Sequence, residues 1–493
     1  MDVSISYEEA TILMKELEPK KVFDYFKEIS AIPRCSKNEK EISDYLVNFA
    51  KENKLEVFQD KALNVIIKKN GTKGYEDSAP VIIQGHMDMV CEKSKESKHD
   101  FSKDPISLKV KGDFLRADGT TLGGDNGIAI AYGLALLDSK DIPHPPIELL
   151  ITTDEETGMY GAAAIKADLL KGKTLLNIDA EEEGVFFVSC AGGMNLICEF
   201  DTKWESATKK ALIIEISGLK GGHSGLEIDQ QRANAIKILG RILKEIRNAG
   251  DYNIANIAGG LKSNAIAREA KATITADTAV INKIKASIED LSKIIKDEFL
   301  TVDSEIQVKV GNAEKITTQL DKVSTNKIVD FLFVVPNGVQ SMSMEKGLEG
   351  IVESSLNLGI LEQSEKSIKL TISVRSSVES IMDDVAKRVE TLTSLVGAKS
   401  SRSGVYPSWE YEADSKIRDM CIKVYKEVSG NEAKIQSIHA GLECGVLKKK
   451  MPKTDMISFG PNIYNVHTPD EHVSIKSVKN LWEFIKALLT ELK

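Results

Sequence analysis

Between residues 55 and 178, short runs of aliphatic and β-branched residues alternate with helix-forming segments. Runs 55–59, 65–68, 81–84, 146–153 and 174–178 read as strands, and 40–52, 126–137 and 162–169 as helices. That alternation restricts the chain to a layered α/β fold with a largely parallel sheet, because each crossover helix must cover a face of the sheet. In open parallel sheets, ligands gather in the crevice beyond the carboxyl ends of the strands. His86, Glu155, Glu156 and Asp179 each follow one of these strands, and His467 follows another expected over 454–459. Asp125 instead opens a helix after the Gly123-Gly124 turn, which lets backbone approach the same place.

The texture changes near residue 190. A strand over 211–218, a helix over 232–249, strands at 253–258 and 265–276, a helix over 281–298 and a strand over 305–310 are expected there. A similar order follows, with helix 327–332, strands 349–358 and 367–374, and helix 378–395, so this region reads as a duplicated helix-strand-strand unit. From about residue 398 the pattern is α/β again, with helix 415–428 and a closing helix over 475–492. The expected organisation is a catalytic domain with a central mixed, largely parallel sheet flanked by helices, in two parts (1–190 and 398–493). An inserted α+β lid domain (191–397), internally duplicated, interrupts it. Before the first strand, residues 7–16 and 40–52 read as helices flanking a loop with Pro33.

At 493 residues the chain exceeds one ordinary core. A hydrophobic content of 42% and a charged content of 28% are those of a soluble globular protein. The net charge of −9 argues against nucleic acid or an anionic membrane as the main partner. No apolar run approaches the ~18 residues that span a bilayer, and residues 1–20 are acidic and amphipathic, unlike a secretory signal. The six cysteines, Cys35, Cys91, Cys190, Cys198, Cys421 and Cys444, include no CxxC pair and are expected as reduced, mostly buried thiols. A cytoplasmic location follows from these readings.

A two-metal hydrolase needs one carboxylate shared by ions ~3.5–4 Å apart, with one or two further ligands on each side. Three acids and two histidines satisfy that count. Asp88, two residues past His86, can orient the imidazole, and the remaining member of the Glu155-Glu156 pair can serve as general base. Each piece alone is weak, since HxD arises by chance and Glu-Glu pairs usually lie on surfaces. Their joint placement at strand ends carries the argument.

Several segments make the pattern more specific. Gly85-His86-Met87-Asp88-Met89-Val90-Cys91-Glu92-Lys93, Leu122-Gly123-Gly124-Asp125-Asn126-Gly127, Thr152-Thr153-Asp154-Glu155-Glu156-Thr157-Gly158, Asn177-Ile178-Asp179 and His467-Thr468-Pro469 are all present. Together they resemble the dinuclear zinc aminopeptidase/carboxypeptidase/deacylase superfamily, and most closely its aminoacyl-histidine dipeptidase (cytosolic non-specific dipeptidase) branch, over essentially the whole chain. Gly124 departs from the alanine more usual in that branch.

The resemblance implies that His86 and Asp179 hold one divalent ion, Glu156 and His467 a second, and that Asp125 bridges them across a cis Asp125–Asn126 peptide. Zinc is expected, with manganese or cobalt as alternatives. Asp88 would orient His86, and Glu155 would take a proton from a water between the ions and pass it to the leaving amine. In the lid, the resemblance assigns His223 of Gly221-Gly222-His223-Ser224-Gly225 to the oxyanion, and Asn264 to the substrate, although Ala267 replaces the proline common nearby. Arg375 ends a strand after apolar residues, and an arginine fork is the natural clamp for a free carboxylate. In His439-Ala440-Gly441-Leu442-Glu443-Cys444-Gly445, His439 or Glu443 either contacts the substrate or shapes the pocket wall. His99, His144, His472, Asp470 and Glu471 read as structural or loop residues.

The expected function is thus metal-dependent hydrolysis of dipeptides, of broad or Xaa-His preference, by a monomer or homodimer. If the lid is duplicated, His223 would reach the site within one chain. N-acyl-amino-acid deacylation on the same scaffold is the alternative, and a metal-free binding module a more distant one.

Overall fold

The computed structural model describes residues 17–493, so the helix expected over 7–16 lies outside the described residues. The described chain divides into two compact units. The first comprises residues up to Ser189 together with Tyr411–Gln436 and Leu442–Lys493; the second comprises Cys190–Glu410 and Ser437–Gly441.

An eight-stranded sheet forms the centre of the first unit. Its four middle strands, Ile147–Thr152, Val81–His86, Thr174–Asn177 and Asp455–Ser458, run parallel. Val65–Lys69 and Glu56–Gln59 extend one side antiparallel. Strands Ile147–Thr152 and Val81–His86 are buried at every position, which is why their sequences run apolar without alternation. The helix Gly124–Asp138 is buried along almost its whole length, and its backbone becomes regular only after Asp125 and Asn126. Tyr132 of this helix stacks on Trp482 of the closing helix Ile475–Glu491, with ring centroids 6.0 Å apart, and donates to the Val478 carbonyl at 2.8 Å. This contact ties the last segment of the chain to the first.

The helix expected over 162–169 is split into Tyr160–Ala164 and a short turn at Ala167–Leu169, and two further features of this unit depart from the sequence reading. A helix at Lys20–Ser30 occupies part of the expected loop; it buries Val22, Phe23, Phe26 and Ile29, spaced along one helical face. Cys35 and Cys91 form a disulfide rather than two thiols. The cause is a local crossing: Met89 donates its N–H to the Arg34 carbonyl at 3.1 Å, and Cys35 pairs with Met89 in an isolated parallel bridge. Cys91, two residues on, is thereby brought to a Cα–Cα distance of 5.7 Å from Cys35. Their separation of 56 residues hides this. Cys190, Cys198, Cys421 and Cys444 are buried. Among the described residues, no helix is long and apolar enough to cross a membrane.

The second unit is built on a nine-stranded sheet, eight strands in one continuous order and a ninth, Gly338–Met342, paired with Val352–Gln363. From one edge the order is Gln307–Asn312, Lys210–Ser217, Ala270–Ala276, Tyr252–Gly259; from the other it is Lys399–Tyr406, Gly192–Asp201, Ser367–Ser376, Val352–Gln363. In each set of four the order, numbered along the chain, is fourth, first, third, second. The unit runs past residue 397 because Lys399–Tyr406 pairs with Gly192–Asp201. Asn234 starts the helix Ala235–Glu245 by accepting from the N–H groups of Ile236 and Lys237 at 3.0 and 3.2 Å. That helix presses Ile236, Leu239, Ile242 and Leu243 into the apolar core under the sheet.

Candidate metal centre

The first unit brings the scattered acids and histidines together. His86 is the last residue of its strand, and Asp179 and the Glu155-Glu156 pair follow the ends of their neighbours. His467 and Glu471 lie between the short strands Ile463–Tyr464 and His472–Ser474, which form a small sheet with Phe114–Ala117 and Leu108–Lys111. Asp125 faces both histidines: Oδ1 lies 3.2 Å from His86 Nε2, and Oδ2 lies 3.2 Å from His467 Nε2. His86 Nε2 is also 3.3 Å from Asp179 Oδ1, and His467 Nε2 is 3.0 Å from Glu156 Oε2.

Among the described residues four donor sets have one atom per residue inside 4.8 Å of the others, His86–Glu155–Glu156 and Glu39–Asp88–Asp154 besides the two that contain Asp125, His86–Asp125–Asp179 and Asp125–Glu156–His467. The last two form the pair of interest. They share Asp125, and the Asp125–Asn126 peptide is cis. Asn126 anchors the turn by accepting from the His86 N–H at 3.2 Å and donating to the Ile178 carbonyl at 2.5 Å. Nitrogen and carboxylate oxygen donors in two sets with one shared acid suit a pair of divalent cations. Among the described residues a buried oxygen of Glu156, Oε1, has no hydrogen-bond partner, which suits it to a cation.

Electrostatics point the same way. Burial opposes the charge of Asp125, but hydrogen bonds from His467 and His86 outweigh it and hold its carboxyl below the usual range. Hydrogen bonds to Asp125 and Glu156 push the half-exposed His467 up to about 11. Burial raises Asp179 to about 6; His86 opposes the shift, and repulsion from Asp125 and Glu156 adds to it. Burial also drives Glu155 well above the ordinary carboxylate range, with Asp179, Glu443 and Glu156 contributing repulsion against the pull of His86. Crowded, partly desolvated carboxylates attract protons or cations, and both compete for the same lone pairs.

Asp88 does more than the sequence assigns to it. Its backbone carbonyl lies 3.1 Å and its Oδ1 3.4 Å from His86 Nδ1, while its carboxylate accepts from the Glu155 and Glu156 N–H groups at 3.0 and 3.2 Å and from the Ser36 hydroxyl at 2.9 Å. One buried acid thus orients the histidine and holds the turn that presents both glutamates.

Glu471, read from sequence as a loop acid, is only 2% exposed. Its Oε2 accepts from the N–H groups of Leu122 and Gly123 at 2.7 and 3.0 Å, and its Oε1 from those of Gly124 and Asp125 at 2.8 and 3.3 Å. Arg34, which sequence reasoning did not single out, is equally buried; its Nη2 donates to the Gly123 carbonyl at 2.6 Å and its Nη1 to the Met87 carbonyl at 3.2 Å. No local motif marks either residue. The signal in hindsight is a charged residue among apolar neighbours, Ile32-Pro33-Arg34, and an acid immediately before a strand.

Glu443 is completely buried in the first unit. Its Oε2 accepts from the Thr152 hydroxyl at 2.6 Å and from the Gln84 amide, and Oε1 has no partner among the described residues. Burial, against the pull of His86, raises this carboxyl to about 8. A group whose folded pKa is raised contributes stability below its unfolded pKa and loses it as pH rises to the folded value. Between about pH 4.5 and pH 8, chelator-stripped wild-type protein is therefore expected to lose thermal stability relative to Glu443→Gln, by about 3 °C or more in Tm. Parallel melting curves across that range would refute the assignment.

The remaining candidates lie in the second unit. His223 Nδ1 accepts from the N–H groups of Gly225 and Leu226 at 3.3 and 3.0 Å, so the neutral ring carries its proton on Nε2. Burial and then the charge of Arg375 lower its pKa to about 4, and the ring stays neutral near pH 7. His439 is lowered further, to about 3, by burial and by Arg375, and its Nε2 pairs with the Ser355 hydroxyl at 2.7 Å. A side chain on Gly225 would meet the His439 carbonyl at 2.3 Å, which explains that glycine. Arg375 is 8% exposed and donates from Nη1 to the Tyr406 hydroxyl at 2.8 Å, while its Nε has no partner among the described residues. It is thus a buried cation held by a phenol rather than a surface ion pair. Asn264 is exposed, and its carbonyl accepts from the Ser224 N–H at 2.9 Å, beside His223.

The sequence model of peptidase family M20/M25/M40 matches residues 82–491. The cytosol non-specific dipeptidase of Escherichia coli (strain K12) is 36% identical over 481 residues, 97% of this chain and 99% of that protein. The crystal structure of aminoacylhistidine dipeptidase from Vibrio alginolyticus matches with a TM-score of 0.90 at 37% identity, covering 97% of this chain and 98% of that one.

Proposed function

Because the chain belongs to peptidase family M20/M25/M40, we propose that the paired donor sets around Asp125 serve the hydrolysis of dipeptides. The protein is a peptide-bond hydrolase of the dipeptidase kind, as its relatives are. The observation that carries the site assignment is the single carboxylate of Asp125 facing both His86 and His467.

His86 and Asp179 would hold one ion, Glu156 and His467 the other, and Asp125 both. We assign zinc to the two positions, with manganese or cobalt able to occupy the same ligands. Such ions, when bound, lower the pKa of water and polarise the scissile carbonyl. Glu155 accepts the proton of the attacking water and returns it to the departing amine. His223 supplies an Nε2–H donor to the oxyanion. Arg375, oriented by Tyr406, takes the carboxylate of the dipeptide. Asn264 and His439 contact the substrate, whereas the buried Glu443 supports the wall behind the centre. The cytoplasm is the compartment we assign, as in the name of the Escherichia coli relative.

The test is a substrate panel on chelator-stripped protein reconstituted with zinc, manganese or cobalt. Free-amine dipeptides should be cleaved, and tripeptides and N-acyl-amino acids should fall behind by about 100-fold or more in kcat/KM. Preferential cleavage of the N-acyl compounds would replace this reading with deacylation. Arg375→Met should raise the KM for dipeptides about 10- to 100-fold, the worth of a charge-assisted bond. It should leave the KM for C-terminally amidated dipeptides nearly unchanged; equal effects on both substrates would remove Arg375 from carboxylate recognition.

A further inference from the structure

We infer that Arg34 and Glu471 are a pair of positioning residues that set the bridging geometry of Asp125 through the peptide groups of the Leu122–Asp125 turn. The inference rests on the ligand assignment above. Glu471 engages four consecutive N–H groups on one side of this turn. Arg34 takes the Gly123 carbonyl, and with its other terminal nitrogen reaches the Met87 carbonyl beside His86. An anion on the N–H side and a cation on the C=O side act on the peptide dipoles in the same sense, so each reinforces the hold of the other. Arg34 also links the turn bearing Asp125 to the strand end bearing His86, the two residues whose side chains lie 3.2 Å apart.

The glycines of the turn record this arrangement. A Cβ at Gly123 would lie 2.4 Å from Arg34 Nη2, and one at Gly127 would lie 2.6 Å from the same atom. Gly123 also has φ +69, a backbone state that side chains disfavour. By contrast, a Cβ at Gly124 would come no closer than 3.3 Å, to Glu471 Oε1. Positions 123 and 127 are thus shaped around the guanidinium, while position 124 has nearly enough room for alanine. Burial disfavours the charge on Arg34, and Glu471 offsets more of that cost than Asp88, Asp125 or Glu156 does.

Replacing such an outer partner weakens metal binding or activity about 10- to 100-fold. The experiment titrates chelator-stripped, full-length protein with cobalt(II), followed by its visible absorption. Wild type should take two ions. Glu471→Gln, which turns an amide N–H toward backbone donors, should bind cobalt about 10- to 100-fold more weakly with an altered spectrum. Glu471→Asp should recover part of the affinity, and Arg34→Met should resemble Glu471→Gln. Tyr132→Phe, which removes a buried hydrogen bond elsewhere in the unit, serves as the stability control. Wild-type cobalt affinity in both Glu471→Gln and Arg34→Met would overturn the inference, as would an equal loss in a Tyr132→Phe protein of matched Tm. Should Glu471→Gln not fold, Glu471→Asp and Arg34→Met decide by the same criteria. An Asp125→Asn protein that kept both ions would instead overturn the ligand assignment and leave the clamp a matter of backbone structure alone.

Discussion

Glu155→Gln is expected to lower kcat by about 10²- to 10⁴-fold, the usual contribution of a positioned general base, with KM changed little. The substitution keeps the shape of the side chain and removes only its ability to take a proton. The backbone N–H of residue 155 still reaches Asp88 Oδ1, so the turn that presents Glu156 is retained. Burial and the neighbouring acids already oppose a charge at this position, so a neutral amide should not destabilise the fold, and the loss of kcat is read on well-folded protein. Steady-state kinetics with one dipeptide, alongside metal content, provide the test. A variant that loads both ions and retains more than about a tenth of wild-type kcat would assign the base elsewhere.

Asp125→Ala should be at least as damaging, for a different reason. Asp125 is the one acid common to the two donor sets that also contain His86 and His467. Removing it deprives both ions of a ligand at once, so metal content after dialysis should fall from two equivalents to one or fewer. Activity should drop beyond the 10- to 100-fold typical of losing an outer partner. Loss of activity with two ions still bound would show that Asp125 acts other than as a shared ligand.

The positions where strands end were readable because β-branched runs and motif residues are contiguous in sequence. His86 ends its strand, and Glu155, Glu156 and Asp179 lie within four residues of the strands they follow, so local pattern sufficed to bring them together. His467 needed the resemblance as well, since Ile463–Tyr464 intervenes between it and its strand Asp455–Ser458. Arg34, Glu471 and the Cys35–Cys91 bond were not readable for a shared reason. Each acts on backbone or on a partner far along the chain: Glu471 meets residues 122 to 125 from 346 to 349 positions away. Backbone recognition leaves no complementary side chain to notice. The helix Lys20–Ser30 was obscured differently, by taking Pro33 as the centre of a longer loop than it marks.

The mirrored strand order of the second unit has a mechanical consequence. Its two sets of four strands meet along a seam where Tyr252–Gly259 and Val352–Gln363 share a single registered pair, Gly259 with Leu361. Backbone hydrogen bonding therefore contributes little to holding the sets together. The apolar layer beneath is continuous instead, joining Leu212, Ile254 and Ile274 on one side of the seam to Leu356, Ile372 and Val374 on the other. Melting either set would strip apolar cover from the flank of its twin. The sheet is divided in its hydrogen bonding yet should come apart in one cooperative step.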